Sequence, residues 1–113
     1  MGLGVVVATA VLTVFLIFFH LRPATTARYR FVIYQPDVTT AEIVGTFTDW
    51  KPVSLNRIGA IGYWDITMNL PEGEHRFAYV LDGKGGFADP TIQERELDDF
   101  GGNNSIISVG SRT

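Results

Sequence analysis

From Leu3 to Phe19 the chain reads LGVVVATAVLTVFLIFF, with no charge and with Thr9 and Thr13 as its only polar side chains. A helix rising about 1.5 Å per residue makes this stretch roughly 26 Å long, near the lower limit for crossing a hydrocarbon core of about 30 Å. Gly2, His20 and Leu21 extend it. A helix apolar on every side has no face to offer water, which argues against a buried core helix. A cleaved signal peptide is the competing reading, but no Lys or Arg precedes the run and the run is long for an h-region. A single transmembrane α-helix over residues 1–21 is the expectation. Gly4 and Ala8 form a small-xxx-small pair, and Thr9 and Thr13 stack four apart, a face on which helices approach closely in lipid. Arg22, Arg28 and Arg30 follow the run and only the terminal amine precedes it. The positive-inside rule then places the rest of the chain in the cytoplasm and the N-terminus outside, in an inner (plasma) membrane. His20 reads as an interfacial polar residue, with ligation of a tetrapyrrole or metal as the minor alternative.

The segment Leu21–Ala27, LRPATTA, ends that helix: Pro23 cannot continue it and small polar residues follow. The expected organisation is helix 1–21, linker 22–27, one module 28–110 and a tail 111–113. All 12 acidic residues lie beyond Arg30 and the formal net charge is −3, a poor balance for binding nucleic acid. There is no cysteine, so disulfides and thiolate metal sites are excluded. The densest acidic run, ERELDD at Glu94–Asp99, reads as a solvated loop and lacks the spacing of a calcium loop. No cofactor or metal is expected.

From Arg28 the periodicity changes from helical to alternating. RYRFVIYQ is β-branched and aromatic, AEIVGTF follows a PDVTT turn, and YWDITMNL alternates cleanly between Trp64, Ile66, Met68, Leu70 and their polar neighbours. PEGE and DGKGG are turns, and SIISV is the last strand. Seven or so short strands predict a small antiparallel β-sandwich. Its core is expected to hold Phe31, Ile33, Val44, Trp64, Ile66, Met68, Phe77, Tyr79, Leu81 and Ile107, which leaves Arg76, Ala78 and Val80 facing outward.

VGTFTDW, YWDITMNLPEGEHRFAYVLDG, ADP and GGNNSIISV, in this order and spacing, resemble the glycogen-binding module of the AMP-activated protein kinase β subunit. They are similar also to the early-set, immunoglobulin-like domains of glycogen-branching enzymes and isoamylases. The resemblance covers about Tyr29 to Val109 and implies an all-β early-set sandwich that is noncatalytic. It implies aromatic stacking on glucose, because the C–H face of a pyranose is apolar while its hydroxyl rim needs donors and acceptors. Trp50 falls on the first stacking Trp and Asn104 on the sugar-binding Asn. Two positions depart. Ala78 stands where the family has a Lys, and KGGF replaces the segment that carries the second Trp, leaving Phe87 and Lys84 as substitutes. Losing one ring and one charged hydrogen bond weakens a sugar site by about 2–4 kcal/mol.

These departures favour a noncatalytic accessory or scaffold subunit of a larger membrane complex, energy-transducing, respiratory or photosynthetic. In that reading Trp50, Ala78, Val80 and Phe87 meet a protein partner, while the helix packs on other membrane-protein subunits and on lipid. The alternative is a membrane-tethered α-glucan-binding module using Trp50, Lys84, Phe87 and Asn104. No nucleophile–base–orienter set is recognisable: the two histidines are isolated, and the carboxylates Glu72, Glu74, Asp82 and Asp89 sit at turns.

Overall fold

The structure, a computed structural model, describes residues 25–110. The apolar run with Gly4, Ala8, Thr9, Thr13 and His20, and the tail 111–113, lie outside the described residues. Among the described residues no helix is long and apolar enough to cross a membrane.

The alternating segments become strands β1 (Thr26–Tyr34), β2 (Ala41–Gly45), β3 (Val53–Ser54), β4 (Asn56–Ile58), β5 (Tyr63–Pro71), β6 (Gly73–Leu81), β7 (Lys84–Phe87), β8 (Arg95–Leu97) and β9 (Asn103–Val109), with one short 3-10 turn at Thr46–Thr48. One sheet has the order β1-β5-β4; the other runs β3-β2-β6-β9-β8, with β7 also paired to β6. Every pairing is antiparallel. Strand β1 begins at Thr26, two residues inside the expected linker, because β5 continues to Pro71 and pairs with it there. The acidic run Glu94–Asp99, expected as a loop, supplies β8 at Arg95–Leu97, whose Glu96 pairs with Asn104.

The two sheets close on Phe31, Ile33, Ile43, Trp64, Leu70, Phe77, Tyr79, Leu81 and Ile107, with Ile66 and Met68 half-buried against them. Each large side chain buried in this way stabilises the fold by about 1.5–3 kcal/mol. Trp64 also turns its Nε1–H onto the Gln35 carbonyl at 3.0 Å, so its polar atom does not oppose burial. One core position differs from expectation. On β2 the buried set is Ala41, Ile43 and Gly45, and Val44 lies on the outer face. The pairing Gly45↔Phe77 and Ile43↔Tyr79 sets this phase, because the inward rings of β6 take the small and branched residues of β2 beneath them.

Turns are held by side chains. The Asp82 carboxylate accepts the N–H groups of Thr39 and Thr40 at 2.7 and 2.9 Å, which ties the β6–β7 hairpin to the β1–β2 turn. Asp89, expected as a turn residue, is also buried: it accepts from the Tyr79 hydroxyl at 2.8 Å and from the Thr91 N–H and hydroxyl at 2.9 and 2.6 Å, and its own N–H donates to Ser105 Oγ at 2.7 Å. This network fixes where the chain crosses from β7 to β8, and hence the position of the loop that follows.

Candidate functional site

Gly45 ends β2 where the chain must pass tightly over β6. A Cβ there would lie 2.7 Å from the Arg76 carbonyl oxygen and 2.8 Å from Phe77 Cβ, so no side chain fits. The turn that follows is pinned twice. Phe47 folds inward, stacked on Phe31 with centroids 5.3 Å apart and edge-on to His75 at 5.7 Å. Thr48 Oγ1 accepts the Gly45 N–H at 3.0 Å and donates to the Gly45 carbonyl at 3.1 Å. The Trp50 N–H then closes back on the Gly45 carbonyl at 3.0 Å.

That closure forces Asp49 and Trp50 into left-handed backbone, with φ of 54° and 59°. A bulky residue in this region is an outlier that costs about 1–2 kcal/mol. The strain leaves the ring only partly covered: Trp50 remains 46% exposed. The turn packs Phe47, half-buried, against the core and displays Trp50.

Trp50 lines a depression of about 400 Å³ on the outer face of the larger sheet. Across the strands lie Val44 on β2, Ala78 on β6, Asn104 on β9 and Glu96 on β8, a row set by the register Val44↔Ala78 and Glu96↔Asn104. Ala78 points outward as expected, yet it is 2% exposed, at the floor of the depression. It therefore offers no free surface for a protein partner.

The opposite side is formed by Leu97, Asp98, Asp99 and Phe100. Asp98 shapes this loop: its Oδ1 accepts the N–H groups of Phe100 and Gly102 at 2.8 and 2.7 Å, and its own N–H donates to the Gly102 carbonyl at 2.9 Å. Phe100, 95% exposed, stands at the tip. The loop rests on β7 through a glycine–glycine contact, since a Cβ on Gly102 would lie 2.6 Å from Gly86 Cα. The KGGF segment thus supports the Phe100 loop.

Of the residues expected at a sugar site, the structure brings Trp50 and Asn104 together and leaves Lys84 and Phe87 apart. In the β6–β7 ladder Phe87 pairs with Tyr79 and Lys84 with Leu81, so both leave on the side opposite Ala78 and Val80. The four residues expected to meet a protein partner likewise fail to form one surface, with Ala78 buried and Phe87 on the other side of the ladder. Phe100 was missed. Its signal was local: DDFGG carries an aromatic on a turn, between an Asx-turn former and two glycines, much as TDW does.

The electrostatics of the depression are acidic. Glu96, Asp98 and Asp99 line it and no Lys or Arg does. Arg76, the next outward residue of β6, is held by Glu96 and by Glu74 at 3.0 Å. Its guanidinium is pushed above its ordinary value, chiefly by the hydrogen bond and charge of Glu96. An aromatic at one rim, a second at the other and hydroxyl-pairing groups between them can hold a ring that is apolar on its faces and polar at its edge. Among the described residues no three potential metal ligands cluster.

Residues 30–113 match the family model described as the glycogen recognition site of AMP-activated protein kinase. The chain matches no individually curated protein.

Proposed function

The chain belongs to the family of the glycogen recognition site of AMP-activated protein kinase, and from that premise we propose that its sandwich is a noncatalytic α-glucan-binding module. The observation that carries this is Trp50, held exposed on strained backbone at the rim of a depression that also contains Asn104. A glucose ring stacks on the indole, Phe100 meets the neighbouring sugar, and Asn104 with the rim carboxylates pairs the hydroxyls. The reading as a scaffold subunit has less support, because its contact residues diverge in the fold.

The experiment is co-sedimentation with glycogen, using the full chain in mild detergent. The chain is expected in the pellet, and Trp50→Gly is expected to weaken binding about tenfold or more, as loss of a central aromatic anchor does. A wild-type chain that stays in the supernatant, or a Trp50→Gly chain that binds equally well, would overturn the reading.

We further propose that the apolar run Leu3–Phe19 anchors the module in a membrane, with the arginines after it favouring a cytoplasmic module. The chain should then resist extraction from membranes by alkaline carbonate. Release into the soluble fraction, or a mature chain starting after Pro23, would remove the anchor from the account.

A further inference from the structure

We infer that the depression takes neutral, unmodified α-glucan and rejects glucan that carries phosphate; this rests on the reading of the depression as a glucan site. Ala78 is 2% exposed at the floor, so no cation rises from β6 there. The charges that do line the depression are Glu96, Asp98 and Asp99. Lys51 follows Trp50 and Lys84 starts β7, yet neither lines it. The guanidinium of Arg76 is shared between Glu74 and Glu96, which leaves Asp98 and Asp99 without a cationic partner among the described residues.

The two ligand classes meet this rim differently. A neutral glucose unit presents hydroxyl donors, and carboxylates are strong acceptors for them. A phosphate monoester presents acceptor oxygens only, and carries about −1.5 to −2 charges at pH 7. Set against Asp98 and Asp99 it is repelled by both, and the side-chain donors left to it there, the Asn104 amide and the Trp50 indole N–H, are neutral. The Phe100 and Gly102 amides offer no relief, because both already donate to Asp98. Discrimination then comes from a built-in repulsive element on top of the shared stacking on Trp50. Being Coulombic and exposed, that element weakens as salt rises and the Debye length shrinks from about 10 Å at 0.1 M toward about 3 Å at 1 M.

The test is calorimetric titration of the full chain in detergent with maltoheptaose and with maltoheptaose bearing one C6 phosphate, at low and high salt. The expected result is a Kd about tenfold or more weaker for the phosphorylated sugar at low salt, with the ratio falling at high salt. Asp99→Lys, a change at an exposed loop position, is expected to narrow or invert the ratio. Equal affinities, tighter binding of the phosphorylated sugar, or a ratio indifferent to both salt and Asp99→Lys would overturn the inference and leave the glucan reading standing. A chain that binds neither sugar would overturn both.

Discussion

Trp50 carries a conflict between stability and display. Its left-handed φ of 59° costs the fold about 1–2 kcal/mol, and the ring stays half-exposed. Glycine adopts the same backbone without that cost, although its unfolded chain is freer by about 0.5–1 kcal/mol. Relief of that strain is offset by loss of the ring's covered half, so Trp50→Gly is expected to change stability by no more than about 1 kcal/mol in either direction, measured by urea denaturation, in the same variant that loses glucan. A variant destabilised by 2 kcal/mol or more would mean that the ring is packed for structure. Trp64 shows the opposite arrangement: it is buried, with its Nε1–H satisfied and the Arg57 guanidinium 4.6 Å from the ring centroid. The two Trp residues were separable in the sequence by context, one in a turn and one in an alternating strand. The left-handed backbone of Trp50 was not, because it follows from the closure of the turn onto Gly45.

The loop from Leu97 to Gly102 is the element that completes the site, and its shape depends on β7. Gly86 and Gly102 meet so closely that a Cβ on Gly102 would also lie 2.7 Å from Asp98 Oδ2. Gly102→Ala must push the loop off β7 or displace the carboxylate that caps Phe100. Its expected cost is about 1–3 kcal/mol, in the range of overpacking, together with weaker glucan binding as Phe100 moves. Retained stability and affinity would show that the contact yields freely. The strands were legible because YWDITMNL and HRFAYVL alternate on their own. The contact between KGGF and the loop ahead of GGNNS was not, since nothing in either segment names the other. For the same reason Phe87 looked like a replacement ring: sequence proximity to the missing Trp is visible, whereas its pairing with Tyr79 is a matter of register.

At the scale of the whole molecule the sandwich is held by apolar burial between the sheets and by one buried polar network joining Tyr79, Asp89, Thr91 and Ser105. Burial, and next the neighbouring Asp89 carboxylate, raise the Tyr79 hydroxyl far above its ordinary value; the same two causes raise Tyr29. A group whose folded pKa is raised stabilises fully below its unfolded pKa, near 10 for Tyr, and that contribution is lost as pH climbs beyond it. Unfolding free energy should therefore fall above about pH 10, by up to roughly 1.4 kcal/mol per pH unit for one such group. Tyr79→Phe should flatten that fall and lower stability near pH 7 by about 1–3 kcal/mol, because the buried carboxylate loses a donor. Urea midpoints of both proteins at pH 8 and pH 11 would check this, and equal alkaline losses would count against it. Alternation and turn chemistry determined, from the sequence alone, an antiparallel sandwich, because both are properties of neighbours along the chain, while the display of Trp50 was implied only by the resemblance. The tertiary structure alone decided that Phe100 and Trp50 line one depression, that Ala78 is floor rather than surface, and that carboxylates share that lining. Those relations arise where segments distant in sequence meet across four strands, and strand pairing and close packing set them.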